Sequence, residues 1–202
     1  MLLSHALLLL ILDEEKGTPR SMAGREAGLA GAILLDLLAA GALAERDGKL
    51  VAVGSPPGEL EEAWSALADE PRSAKQALRR LKPQTGTLPA ALVAAGVLEE
   101  RHLRFGRVRY PEADPGPELA VRERLRTVLA GAEPDAWTAS LLGLLVPLRL
   151  VKPLFGRDAE RRAKAIAEQG PVGDAVQAAV QQQISAAVIA ATVAATTAAT
   201  SG

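Results

Sequence analysis

Gly28-Leu29-Ala30-Gly31-Ala32-Ile33-Leu34-Leu35-Asp36-Leu37-Leu38-Ala39-Ala40-Gly41-Ala42-Leu43 presents apolar side chains around nearly its whole circumference when wound as a helix. Such a helix belongs in a core. Gly41 can adopt the left-handed conformation that closes a helix, so a strand bearing Leu43 leaves there in a new direction. The ending Ala39-Ala40-Gly41-Ala42-Leu43-Ala44-Glu45-Arg46 returns 55 residues later as Ala94-Ala95-Gly96-Val97-Leu98-Glu99-Glu100-Arg101, identical at six of eight positions. One helix-to-strand unit is therefore used twice, and each copy predicts a β-hairpin. In the first, Asp47-Gly48 suits a type I′ turn, which pairs Arg46 with Lys49 and sets Ala42, Ala44, Val51 and Val53 on one face. In the second, Gly106-Arg107 suits a type II′ loop. That loop pairs Phe105 with Val108 and Leu103 with Tyr110, and sends Arg104, Arg107 and Arg109 to the opposite face.

Around this unit, 202 residues with 49% hydrophobic content and a net charge of -1 fit one folded domain spanning 1–202. Aromatic residues are only 2%, so the core is built from Leu, Ala and Val. That composition favours closely packed helices over a β-sandwich. The expected fold is mainly α, with a buried C-terminal helix and two short β-hairpins. The absence of Cys excludes a disulfide framework and a thiolate metal site, and two distant His leave little for zinc. Charge is uneven: from Arg72 to Arg109 nine basic residues face two acidic ones, a local charge of +7 in a nearly neutral chain. Such asymmetry points to an anionic partner surface, or to a solvated basic face opposite an acidic one.

Leu2 to Leu12 lacks the basic flank and small-residue cleavage site of a secretory signal and is too short to span a bilayer, so it reads as a buried helix ended near Gly17. His5 there reads as a capping or partly exposed residue. Helices are expected over Glu59 to Ala68, with Trp64 in the core, and over Arg72 to Leu81, with Arg72, Lys75, Arg79, Arg80 and Lys82 left to solvent. Thr87 can cap Leu88 to Ala95. Glu118 to Gly131 shows the stripe Leu119, Leu125, Val128 and Leu129. Leu141 to Val146 must be buried up to Pro147, after which Leu148, Leu150, Val151, Leu154 and Phe155 continue a helical stripe. Arg157 to Gln169 reads as a charged, exposed helix. The final 28 residues carry no charge and read as a close-packed central helix in which Thr192, Thr196 and Thr197 bond back to helix carbonyls.

No phosphate loop, dinucleotide fingerprint, Gly-x-Ser-x-Gly or His-Glu-x-x-His occurs, and the carboxylate pairs Glu61-Glu62 and Glu99-Glu100 lie in polar surroundings. An enzyme is not expected, and no cofactor or metal is implied. A helix followed by a hairpin also suits a winged-helix nucleic-acid binder, but the repeat helices offer no basic side chains to a groove.

Leu7-Leu8-Leu9-Leu10, then Gly28-Leu29-x-Gly31 through Asp36-Leu37 to Gly41-x-Leu43, then Gly96-Val97-Leu98 with its hairpin, then Leu141-Leu142-x-Leu144-Leu145, together resemble the Golgi phosphoprotein 3 (GPP34) family in its bacterial branch. The resemblance implies a peripheral membrane protein that binds phosphatidylinositol 4-phosphate, with the last helix buried centrally. In the family's eukaryotic members the headgroup contacts are a Trp, which falls here at Ser21 or Met22, an Arg, which falls at Ala30, and two Arg, which fall at Lys82 and Thr85. Lys82 keeps the charge, a gap of a few residues brings in Arg79 or Arg80, and Arg20 or Arg25 replaces a lost contact. The family's hydrophobic hairpin maps to His102 to Tyr110, where Leu103, Phe105, Arg107, Val108 and Tyr110 are the expected membrane or oligomer contacts. The implied partners are anionic lipid headgroups, a second copy through the hairpin, or another protein, at the cytoplasmic face of a membrane.

Overall fold

The computed structural model describes residues 1–20, 23–169 and 175–200. Helices α1 (Leu3–Ile11) and α2 (Arg25–Ala39) pack against each other, and Leu29, Ile33, Leu34 and Leu37 of α2 are buried as their pattern requires. α1 has no capping side chain of its own. Asp36 of α2 does that work, accepting the Leu3 N–H at 2.7 Å and the Ser4 N–H at 2.9 Å. α1 stops at Ile11, well before Gly17. Leu12 bridges Pro19 and the Asp13 N–H donates to Thr18 O at 2.8 Å, so the chain reverses in a closed loop instead of winding on.

Both copies of the repeat end alike. After α2, Gly41 (φ +66°) donates to Leu38 O and Ala42 to Leu37 O; after the later helix, Gly96 (φ +72°) donates to Val93 O and Val97 to Leu92 O. These crossed bonds satisfy the last carbonyls before the chain turns. Strands β1 (Leu43–Arg46) and β2 (Lys49–Ala52) pair in the expected register, Arg46 opposite Lys49, with Asp47 and Gly48 both at positive φ. The core takes the other face, however. Leu43 and Leu50 are buried, because Leu50 is locked to Arg72 by two backbone hydrogen bonds, whereas of the expected face Ala42 is buried and Val53 is 45% exposed.

A 3₁₀ turn (Gly58–Leu60) leads into α3 (Glu61–Ser65), on which Trp64 packs half-buried against the core. α4 (Ala74–Leu81) starts directly after Ser73, its N-cap, which forms a capping box with Gln76, so Arg72 precedes the helix and does not lie on its solvent face. Arg72 is buried and spent on Asp69 (2.5 and 2.9 Å) and on the carbonyls of Leu67 and Glu70. A 3₁₀ turn (Pro83–Gly86) joins α4 to α5 (Leu88–Ala94). Thr87 does not cap α5; its hydroxyl donates back to Gln84 O at 2.8 Å.

The second hairpin, β3 (Arg101–His102) and β4 (Val108–Arg109), pairs Arg101 with Arg109 and His102 with Val108. The expected pairing is off by three positions, which exchanges the faces. Its base sets the register: Leu98 bridges Glu112, and the Glu99 N–H donates to Pro111 O at 2.9 Å. The loop is therefore Arg104–Gly106, with Phe105 and Gly106 at positive φ and the Leu103 N–H donating to Arg107 O. Leu103 shares a face with Arg107 and Arg109, not with Val108 and Tyr110.

On α6 (Gly116–Leu129) the inward residues are Glu118, Val121, Leu125 and Val128, whereas Leu119 is 56% exposed. Glu118 is held by Arg122 (2.6 Å), which also reaches Glu14 at 2.5 Å, and Glu112 lies against this group. α7 (Ala136–Leu145) is buried along Leu141, Leu142, Leu144 and Leu145. One further turn closes at Arg149, whose φ of +58° breaks the expected continuous stripe before α8 (Val151–Phe155). α9 (Arg157–Gln169) buries only Ala163 and Ile166. α10 (Ala175–Thr200) packs on α2, α4 and α7 through Val180, Ile184 and Val188, while Ile189 on its other side is 58% exposed. The expected bonds of Thr192, Thr196 and Thr197 lie outside the described side chains.

Glycines on α2 and at its N-cap explain the close approach of α10 and of Leu148. A Cβ on Gly31 would stand 2.5 Å from Val180 Cγ1, one on Gly24 2.6 Å from Val188 Cγ2, and one on Gly28 2.8 Å from Leu148 Cδ1. Gly28-Leu29-Ala30-Gly31 is thus a packing surface.

Candidate functional site

A cavity of about 480 Å³ opens where the end of α1, the 17–19 loop, the first turn of α2, the Pro83–Gly86 turn and β4 converge. Its size is that of a small-ligand site. The turn exists because Pro83 cannot continue α4 and Pro89 sits in the first turn of α5, where the missing N–H costs little. That short connection brings Lys82 and Thr85 to the cavity, and Arg25 and Glu26 come from α2. Neither Lys82 nor Arg25 is bonded to a carboxylate among the described residues. Thr85 is nearly buried and its hydroxyl donates to Lys82 O at 2.8 Å, which fixes the turn.

Val108 and Tyr110 form the remaining wall. The hairpin is fastened there by the Tyr110 N–H, which donates to Gly17 O at 3.0 Å. Gly17 is at φ +59°, and any Cβ on it would lie 2.2 Å from the Pro111 nitrogen, so this crossing requires glycine. Burial, and secondarily the Glu100 charge, raise the Tyr110 phenol above its ordinary pKa of 10.0. The hairpin tip is three residues beyond Val108, at most about 10 Å of chain, and carries Phe105 at 98% exposure beside Leu103 at 38%.

Lys82 is thus at the cavity, joined by Arg25 and Thr85, while the other expected headgroup residues are elsewhere. Arg20 is turned to the α1 side, where Nε donates to Leu12 O at 2.9 Å and Nη2 to Glu14 at 3.1 Å. Arg79 and Arg80 line a separate open depression with Lys49, Asp69 and Glu70, and Arg80 Nε reaches Ala66 O at 3.4 Å. Ala30 is fully buried; Ser21 and Met22 lie outside the described residues. Of the hairpin residues, Val108 and Tyr110 face the cavity and Phe105 and Leu103 are outside it, a division that the sequence alternation assigned to a single face. The role of Val108 and Tyr110 as cavity wall carried no local signal, since it depends on the Gly17 crossing.

Among the described residues no cluster of His, Asp or Glu suits a metal ion, and no helix is long and apolar enough to cross a membrane. A family model described as Golgi phosphoprotein 3 (GPP34) matches residues 3–183. No curated protein matches the chain.

Proposed function

The chain belongs to the Golgi phosphoprotein 3 (GPP34) family, and from that membership we propose a non-catalytic peripheral protein of the cytoplasmic membrane face that takes the phosphoinositide headgroup of phosphatidylinositol 4-phosphate in the cavity beside Lys82. The observation that carries this reading is the pair of cations, Lys82 and Arg25, without a carboxylate partner among the described residues, on one cavity whose outer wall is the hairpin. Phe105 and Leu103 supply apolar contact with the bilayer close by. Magnitudes divide the work. Arg25, Lys82, Arg104 and Arg107 at roughly 1 kcal/mol each provide about 4 kcal/mol, only about millimolar binding. Burial of Phe105 adds ~1.5–3 kcal/mol, so insertion decides whether binding is useful.

Co-sedimentation of the full chain with neutral phosphatidylcholine vesicles, alone or doped with phosphatidylserine or phosphatidylinositol 4-phosphate, tests this reading. Binding is expected to rank phosphoinositide above serine lipid above neutral lipid, and K82E/R25E is expected to lose the phosphoinositide preference while melting like the wild type. Equal sedimentation with all three vesicles, or an unchanged preference in K82E/R25E, overturns it. Retention of a random DNA duplex in a gel shift would favour the nucleic-acid alternative instead.

A further inference from the structure

A second concave site lies on another part of the molecule, between the turn that joins α7 to α8, α9 and α10, and encloses about 460 Å³. Its apolar lining includes Val146, Pro147, Val151 and Ile189, the last left 58% exposed. Arg149 and Lys152 stand at it without a carboxylate partner among the described residues, and the acid on its wall, Glu160, is taken by Lys164 at 3.0 Å. The groove therefore joins hydrocarbon to two positive charges that no described carboxylate engages.

Arg149 occupies its place against backbone preference. α2, α5 and α6 each end in the same crossed pair of hydrogen bonds with glycine at the left-handed position, Gly41, Gly96 and Gly131. The turn after α7 ends identically, Arg149 donating to Val146 O and Leu150 to Leu145 O, yet an arginine sits at φ +58°. An arginine where glycine is favoured is local backbone strain, and it sets this side chain on the groove.

We infer that this groove binds an anionic amphiphile, a single alkyl chain ending in a carboxylate or phosphate, with the headgroup on Arg149 and Lys152 and the chain along Val146, Val151 and Ile189. The other polar side chains of the lining are taken, Glu160 by Lys164 and the Ser185 hydroxyl by Gln181 O, so the backbone N–H and C=O groups of a peptide segment would find few partners there. A second copy's hairpin tip would bring Arg104 and Arg107 against Arg149 and Lys152. An alkyl anion meets neither objection.

The test is titration of the full chain with decanoate, decyl phosphate and decanol, followed by calorimetry and by backbone amide NMR shifts. Both anions are expected to bind and to shift the amides around Arg149, with decanol at least tenfold weaker; the tighter anion identifies a carboxylate or a phosphate source. R149G removes the guanidinium while easing the backbone, so its melting temperature is expected not to fall, and its affinity for the anions is expected to drop at least tenfold. K152E is expected to weaken the anions similarly. R149G is also expected to keep phosphoinositide-vesicle binding, which separates this groove from the Lys82 cavity. No binding of either anion by the wild type, decanol binding as tightly as decanoate, or unchanged affinity in R149G and K152E overturns the inference.

Discussion

At the scale of single residues, the buried Asp36 carboxyl and the half-buried Glu112 carboxyl carry more than their sequence neighbourhood suggests. Asp36 accepts two backbone N–H groups of α1, and burial raises its pKa although those bonds and Ser4 oppose the rise. D36A strands both donors, so urea unfolding is expected to show a loss of about 2–3 kcal/mol. Glu112 is pushed up to about 8, first by burial, then by Glu118 and Glu14, with Arg122 opposing. A folded-state value above the ordinary 4.5 means that the folded chain holds an extra proton. The resulting stability is complete below about pH 4.5 and is lost as pH rises through about 8. Asp69 and Asp135, both held near 2 chiefly by hydrogen bonds to Arg72 and to the Thr138 N–H, act with the opposite sign and lose their contribution only as pH falls towards about 2. Thermal melts are therefore expected to decline between about pH 5 and 8 in the wild type and to be flatter in E112Q, whose amide mimics the protonated acid. An equal decline in both proteins would remove Glu112 from the account.

At the scale of elements, the α2–α10 contact and the second hairpin make opposite demands on side-chain size. G31A drives a methyl to 2.5 Å from the stiff Val180 side chain and is expected to cost about 1–3 kcal/mol. V180A in the G31A background should recover part of that cost, and the coupling is read from a double-mutant cycle. Phe105 touches nothing that a substitution would disturb. F105D is expected to change stability by less than about 0.5 kcal/mol while weakening vesicle binding by roughly tenfold or more. If F105D instead converts a dimer to a monomer in sedimentation velocity, the hairpin is a contact between copies. The first hairpin was legible because Asp47-Gly48 fixes a two-residue turn by local chemistry alone. The second was not, because Glu99–Pro111 and Leu98–Glu112 contacts at its base outrank the turn residues at its tip.

At the scale of the whole molecule, the helical architecture was readable wherever an apolar run had to be buried, as at Leu7 to Ile11 and Leu141 to Leu145. The site was readable only in part. Lys82 was singled out by the family resemblance, counting back from Gly96, but a cavity made where loop 17–19 crosses the hairpin depends on contacts some 90 residues apart that no spacing rule encodes. Arg72 shows the same limit, since its apparent place in a basic row dissolves once Asp69 and Glu70 close on it. Because the proposed membrane contact joins screened charges to salt-insensitive insertion, vesicle binding is expected to weaken but persist between about 50 and 500 mM salt; complete loss would assign it to charge alone. The dependence of α1 on distant partners also has a consequence for synthesis. Its cap, Asp36, is made 25 residues after Ile11, and α7, which covers another side, is made about 130 residues after it. At ~5–20 residues per second the ribosome presents a leucine helix without its α7 cover for roughly 7–26 s. Nascent chains stalled before Leu141 should therefore be held by chaperones, and those released after α7 has emerged should not.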